Sequence, residues 1–295
     1  SEAYNIAVGY EAGKLITTAV RNTIIGGLAG DAITTGGDNV VLGYNSLGSN
    51  TIGNSNVAIG KDAMTVNVAA DRNVAVGLGS LQNMTSATTL DMYNTAVGYY
   101  AGNSISSGKQ NTLIGGLAGD ALTDADRNVA VGYLALSTET SGYRNVAIGT
   151  EALMTQDGGN YNTAIGDSAG ESITTGDNNA IVGGLAGDAI TTASENVLIG
   201  YDSGGALTLG GSNVAIGAYA LNAETEHGRN VAVGHEALGT LNAGDHAYNT
   251  AVGYYAGREI TTGVQNTILG AQAGDALTTG NHNVAIGFRA LSDED

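Results

Sequence analysis

Asn162-Thr-Ala-Ile-Gly-Asp-Ser-Ala-Gly-Glu-Ser-Ile-Thr-Thr-Gly-Asp-Asn178 runs directly into Asn179-Ala-Ile-Val-Gly183, so the Asn-x-aliphatic-aliphatic-Gly pattern of Asn162 returns at Asn179. Reading outward in both directions, Asn followed four places later by Gly recurs 17 times, from Asn5/Gly9 to Asn283/Gly287. Of the 16 intervals between successive Asn residues, 14 equal 17, one is 21 (Asn73 to Asn94) and one is 19 (Asn230 to Asn249). Numbering each unit from its Asn, places two to four are apolar or Thr, place five is Gly and place eight is Ala or Ser. The later places often read Ile/Leu-Thr-Thr-Gly. A unit this short has no room for the helix pairs that fill solenoid repeats of about 33–47 residues. Two or three Gly per unit would also weaken any helix by about 1 kcal/mol each. Short strands and turns remain, and the period fits one coil of a β-solenoid stacking on the last at about 4.8 Å. Seventeen such coils predict an all-β rod, a parallel β-roll roughly 80 Å long.

Composition agrees. Gly supplies 47 of 295 residues while Pro, Cys and Trp are absent, as expected where the chain tolerates Gly freely but needs every backbone N–H for a long β ladder. Large rings supply much of a compact core, and aromatic residues are only 5% of this chain, which argues against a thick globular interior. With 28 acidic and 10 basic residues the net charge is −18, and the basic residues are scattered, which excludes nucleic acid as a partner. Apolar runs stop at four to five residues, far short of the roughly 20 that span a bilayer as a helix. The first residues lack the pattern of a signal peptide, so no membrane insertion is expected. Without Cys there are no disulfides or thiolate metal sites.

The Asn and Gly columns, for instance Asn5, Gly9, Asn22, Gly26, Asn94, Gly98, Asn162, Gly166, Asn249 and Gly253, read as structural. Asn takes left-handed turns readily and hydrogen-bonds to its own copies above and below, and Gly turns the chain without a Cβ. Place eight holds Ala in 14 units, including Ala29, Ala118, Ala186 and Ala273, and Ser in three, Ser46, Ser80 and Ser203, which marks a close contact. Between Asn and Gly the strand does not alternate apolar with polar, a pattern usual for strands covered on both faces. So short a coil covers only one, so the expectation is an oligomer packed along the strand columns, most simply a homotrimer around a three-fold axis.

These columns resemble two families of long fibres: the head repeats of trimeric autotransporter adhesins and, more closely, the Asn-Thr-Ala-Val-Gly-Tyr-x-Ala-Leu repeats of bacteriophage tail fibres. Asn94-Thr-Ala-Val-Gly-Tyr-Tyr-Ala-Gly102, Asn128-Val-Ala-Val-Gly-Tyr-Leu-Ala-Leu136 and Asn249-Thr-Ala-Val-Gly-Tyr-Tyr-Ala-Gly257 carry the likeness, which covers residues 5–295. The resemblance implies a trimeric, left-handed β-roll serving as shaft, adhesive head or spacer on a virion or cell surface. The coils are longer than those of adhesin heads, and heptad stalk, membrane anchor and C-terminal chaperone domain are all missing.

Units also recur in order within the single array. Gly-Gly-Leu-Ala-Gly-Asp closes three of them, and groups begin at Asn5, Asn94, Asn162 and Asn249, giving 5–93, 94–161, 162–248 and 249–295. Both insertions fall in the last coil of a group, at 82–93 and 239–248. They should protrude as loops, which makes Asn83, Thr85, Asp91, Tyr93, Asp245, His246 and Tyr248 candidate ligand residues. Neither end shows a capping unit, so the chain reads as a segment of something longer or as one that stacks end to end; Asp293-Glu294-Asp295 would discourage edge pairing.

No chemistry stands out for catalysis. His227, His235, His246 and His282 occupy different columns, and Asp31, Asp120, Asp188 and Asp275 share one but lack the companion carboxylates of a calcium loop, so they read as solvated charge. No enzyme, metal or cofactor is expected. Thr at place thirteen, in 12 units, raises ice binding as a weaker alternative, because the residue two places on is often Gly. Thr is also an acceptor for O-linked sugars in a secreted fibril, and Asn83-Met84-Thr85 is an N-glycosylation sequon. Tyr10, Tyr44, Tyr99, Tyr133, Tyr201 and Tyr254 share place six and form an aromatic stripe. The expected function is a stiff structural or adhesive fibre segment; a glycan-binding module using the Tyr stripe or the inserted loops, or a self-stacking extracellular fibril, is the alternative.

Overall fold

Every repeat contributes a three-residue strand, which pairs in parallel and in register with the equivalent strand of an adjoining repeat in the same unit. The computed structural model describes residues 3–85, 90–244 and 246–292; Asp245 and Asp293-Glu294-Asp295 lie outside the described residues. The chain forms two units, 1–145 and 146–295. In the first, strands from Ile6–Val8 to Val129–Val131 form a parallel ladder, with registers such as Ile6↔Thr23 and Val57↔Val74. In the second, strands from Val146–Ile148 to Val284–Ile286 do the same, as in Thr163↔Ala180 and Thr267↔Val284. Each unit is thus a parallel β-solenoid, and no helix occurs among the described residues.

Asn at place one closes each coil and joins it to the next. The Asn162 side chain donates to the carbonyl of Gly176, across its own coil, at 2.6 Å, and its Oδ1 accepts the N–H of Asn179 at 2.9 Å. Asn22, Asn94 and Asn249 repeat the arrangement with Gly36, Gly108 and Gly263, and Asn5 does so with Ala19. The amides of Asn22, Asn94, Asn162 and Asn249 are buried, so each bond satisfies a backbone group that water cannot reach. The left-handed residue is not this Asn but its predecessor: Arg21, Asp38, Tyr161 and Glu195 all have φ between 57° and 65°. The Asn side chain must point inward, and the turn that aims it is made one residue earlier.

Gly at place five has two reasons to be Gly. At Gly9 φ is +136°, outside the range of L side chains, and a Cβ would sit 2.5 Å from the carbonyl oxygen of Gly26 in the next coil. Places seven and nine are also left-handed, and there the fold imposes the conformation on Leu117, Tyr255, Leu153 and many others, at a cost of about 1–2 kcal/mol per residue. Place sixteen adds a second ladder, running opposite to the first. Asn54, Asp71, Asp126, Asp177 and Asn281 each accept the N–H of the place-sixteen residue in the preceding coil, at 2.6–2.9 Å.

The core is a narrow filling of places three, eight, nine and twelve. Ala29, Ala118, Ala186 and Ala273 at place eight are fully buried inside their own coil, and Ser46 and Ser203 there donate to Ala58 and Ala215 carbonyls at 2.9 Å. Place nine is Gly, Leu or Met, and the space beside it is filled by its own side chain, by place three of the following coil or, at Gly119, Gly204 and Gly274, by Leu113, Leu198 and Ile268 at place three of the same coil. Leu47, Met64, Leu81, Leu153, Leu221 and Leu238 are followed by Ala58, Ala75, Ala96, Ala164, Ala232 and Ala251. Gly102, Gly170, Gly187 and Gly257 are followed by Leu113, Ile181, Leu198 and Ile268, whose terminal methyls lie 2.6–3.1 Å from where a Cβ would stand. One volume is filled from either of two places, as a close-packed interior requires. Several coils with a large place nine turn place twelve over to hydrogen bonding. The buried Asn67 takes up the N–H of Ala70 at 2.8 Å, Glu139 those of Ser141 and Gly142, and Glu224 those of Thr225 and His227.

Candidate functional site

From Thr23–Ile25 onward each three-residue strand buries its middle residue and leaves its flanks half-buried or exposed, whereas Ile6–Val8 is exposed throughout. In the second unit Ala164, Ile181 and Leu198 are fully buried while Ile165, Val182 and Ile199 are 36–39% exposed. Ile25, Leu42, Val97 and Ile114 repeat this in the first unit. The outward face is therefore an aliphatic strip, one side chain per coil, beside the exposed rings of Tyr10, Tyr44, Tyr99 and Tyr133 in the first unit and Tyr201 and Tyr254 in the second. Place thirteen is half-buried in most coils, and its hydroxyls are engaged: Thr17, Thr34, Thr123, Thr174 and Thr208 each donate to the place-thirteen carbonyl of the next coil, at 2.9–3.1 Å. Those donors are committed to the ladder and cannot also be offered to a ligand.

The first insertion packs against neighbouring coils. Asn83 donates its N–H to Asn103 at 3.0 Å, and the exposed Thr85 donates its N–H to Ser106 at 3.0 Å. Leu90–Asp91 pairs in parallel with Ala70–Asp71. Asp91 is ion-paired with Arg72 and accepts the Tyr93 hydroxyl at 3.2 Å, and the Arg72 guanidinium lies 5.8 Å from the Tyr93 ring centre. Thr85, Leu90, Met92, Ser107, Lys109 and Asp126 line a shallow groove of about 300 Å³. The second insertion repeats the Arg–Tyr pairing. Arg229 donates to the Tyr248 hydroxyl at 2.7 Å and lies 5.6 Å from its ring, and the ring of His246 meets Tyr248 edge-on at 6.2 Å. Asp245 lies outside the described residues. The two loops belong to different units, so the loop residues group as Arg72, Asp91 and Tyr93 in the first unit and Arg229, His246 and Tyr248 in the second.

The base of the second insertion also lines a groove of about 230 Å³ with Tyr219, Asn222, Glu236, Gly239, Thr240 and Arg258. Arg258 Nε donates to Glu236 at 3.0 Å, and the guanidinium stands 4.6 Å from the Tyr255 ring. A hydrogen bond with Tyr254, then burial, holds the Tyr255 phenol above its usual pKa. Sequence reasoning missed Tyr219, Asn222, Glu236 and Arg258, because places seven and ten vary from unit to unit. Their alignment over three coils, with Gly239 between Asn222 and Arg258, was the available signal.

The Asp column is less solvated than its sequence implies. Asp31, Asp120, Asp188 and Asp275 are all half-buried, and Oδ1 of Asp120 is buried without a hydrogen bond. Burial raises the pKa of Asp120; it does so for Asp188 too, where the nearby Asp202 adds to the effect. By contrast, the hydrogen bond from Arg21 holds the exposed Asp38 below the ordinary carboxylate range. Among the described residues no group of three or more His, Asp or Glu side chains is placed to hold a metal ion. No family model matches the chain, and comparison with curated proteins and with solved structures gave no match.

Proposed function

We propose that the chain is a structural and adhesive fibre segment that assembles with copies of itself, as a homotrimeric, left-handed β-roll in the shaft or head of a phage tail fibre or comparable surface appendage. The observation that carries this reading is the outward aliphatic strip of place four, exposed at Ile25, Leu42, Val97, Ile114, Ile165, Val182 and Ile199. Regular apolar surface of this kind marks an interaction site. A partner that covers it must present apolar side chains at the same spacing of about 4.8 Å, and a second copy of the chain does so without further design. Net charge of −18 keeps assembled rods apart, and the ladders of Asn, Gly and Thr give each rod stiffness along its length. Location on a virion or cell exterior, and support of host recognition, follow from the resemblance of the repeats.

The test is the mass of the native particle by light scattering. A species near three times 29.4 kDa supports the trimer. The double variant Ile165→Lys/Ile199→Lys, which changes only outward side chains, should return single chains with an unchanged circular dichroism spectrum. A wild-type monomer would refute the reading.

A further inference from the structure

We infer that the groove at Tyr219, Asn222, Glu236, Gly239 and Arg258 binds the ring of a neutral pyranose sugar. The groove arises from the register of three coils. Places seven and ten read Tyr219 and Asn222, then Glu236 and Gly239, then Tyr255 and Arg258. Gly239 has no side chain, so a gap opens between Asn222 and Arg258, whose backbones are two coils, or about 10 Å, apart. Other coils with Gly at place ten do not leave this gap. At Gly48 the Oδ1 of Asn45 lies 2.6 Å from where a Cβ would stand, and at Gly205 the Asp202 carboxylate fills the space. Beside Gly239 the nearest atoms belong to the backbone and Cβ of Glu236, and the Glu236 carboxylate is drawn away to Arg258.

The walls have the two surfaces that a sugar ring requires. Aromatic rings from four successive coils stand side by side: Tyr201 lies 5.6 Å from Tyr219, Tyr219 is 6.0 Å from His235, and His235 stacks on Tyr254 at 5.6 Å with 22° between the planes. Of these rings only Tyr219, 38% exposed, lines the groove, and it supplies the apolar wall for the C–H face of a pyranose. Across the gap, planar polar groups are already held in place. The ion pair and the Tyr255 ring orient Arg258 through Nε, which leaves its terminal amino groups to donate to adjacent hydroxyls. Asn222, also in the lining, has its amide fixed by donation to the Asp202 carbonyl at 3.0 Å. The Thr240 hydroxyl is spent on the carbonyls of Arg258 and Ile260 and serves as wall.

Charge selects against acidic sugars and phosphates. Glu236 neutralises Arg258, Glu259 lies 3.4 Å from the same nitrogen, and the chain carries −18 overall. A volume of about 230 Å³ is below the roughly 300–1,000 Å³ of pockets for drug-sized ligands, so one ring is held and the rest of a glycan lies outside. Places seven and ten follow the Gly turn, whereas the proposed self-assembly uses place four before it.

Saturation-transfer NMR with the neutral methyl glycosides of glucose, galactose, mannose and N-acetylglucosamine, each at millimolar concentration, tests the site. At least one should receive magnetisation on its ring C–H protons. Gly239→Asn, which gives place ten the residue it has at Asn222 and Asn103, should weaken that glycoside roughly tenfold, as should Tyr219→Ser. Gly48→Asn, in the first unit, should leave binding unchanged. If Tyr219→Ser fails to fold by circular dichroism, Gly239→Asn decides. Absence of transfer to every glycoside, binding indifferent to Gly239→Asn, or preference for a methyl glycoside of an acidic sugar would each overturn the assignment. Particle mass measured on the same samples shows whether self-assembly holds, independently of the sugar result.

Discussion

Replacing Gly187 by Leu tests whether places nine and three really share one volume. The left-handed backbone alone does not forbid it, since Leu153, Leu221 and Leu238 have φ of 49–53° against 53° at Gly187. The obstacle is Leu198 of the next coil, whose Cδ1 lies 2.6 Å from the new Cβ, about 1 Å inside the best carbon–carbon separation. Overpacking of that kind costs about 1–3 kcal/mol, and a non-Gly residue in the left-handed region adds about 1–2 kcal/mol. Leu198→Ala alone empties a fully buried site and should cost about 2–5 kcal/mol. The double variant Gly187→Leu/Leu198→Ala recreates the Leu-over-Ala pairing of Leu221 with Ala232; the backbone strain, contacts with Ile190 at 2.9 Å and Ile181 at 3.4 Å, and the space beside Gly204 that Leu198 also fills, at 3.0 Å, remain. It should therefore be more stable than the sum of the singles by at least about 2 kcal/mol. The assay is urea unfolding at one fixed protein concentration, so that assembly contributes equally to all four proteins. Additivity within about 0.5 kcal/mol would refute the shared volume.

Asn179→Ala removes the partners of two buried backbone groups, the Ala193 carbonyl at 2.9 Å and the Asn196 N–H at 3.0 Å, and should cost about 2–5 kcal/mol by urea midpoint; a loss under about 1 kcal/mol would contradict the closing role of the amide. Asp120→Asn should stabilise the fold at pH 7, because burial raises the folded-state pKa of this carboxyl above its unfolded value near 3.8. The charged form is penalised above the folded pKa and the penalty fades as pH falls towards the unfolded one, so wild type and variant should converge in acid; a gap that widens in acid would reverse the sign. Ile165→Lys/Ile199→Lys should lower particle mass without altering the fold, whereas Ala118→Leu, inside its own coil, should act on folding itself and give chains with lost circular dichroism signal rather than folded monomers.

The coil, its period and its strands were legible because the residues that make them repeat. Asn at place one and Gly at place five hold in all 17 units since each answers a demand that recurs from coil to coil, a buried carbonyl to satisfy or a carbonyl of the next coil to avoid. The left-handed residues at places seven and seventeen were not legible. Leu28, Tyr100, Arg144 and Glu195 share that conformation but no chemistry, because the ladder rather than the side chain fixes φ. The place-sixteen ladder was hidden because Asn, Asp and Ser serve interchangeably there and Val20 and Gly211 interrupt it. The groove was hidden for the opposite reason: it depends on one combination of variable places in three adjoining coils, and a consensus discards such combinations.

The insertions show how the coil tolerates what its period seems to forbid. In regular coils the place-one amide crosses to the carbonyl of place fifteen, as Asn162 does to Gly176. At Asn73 and Asn230, whose coils carry the extra residues, the same amide turns back to the carbonyl two places earlier, of Asp71 and Gly228. Both amides still serve the ladder, since Oδ1 of Asn73 accepts the N–H of Asn94 and Oδ1 of Asn230 that of Asn249. Stacking between coils is thus kept through both insertions. Place twelve changes as well: it is apolar in both inserted coils, Met84 and Leu241, where other coils with a large place nine often use a polar side chain to hold the turn. Beside the second insertion that task passes to the preceding coil, where buried Glu224 accepts the N–H of Ala243 at 3.2 Å. An added loop is therefore anchored from below, and its base, at Gly239, lines the groove that regular coils close with their own side chains.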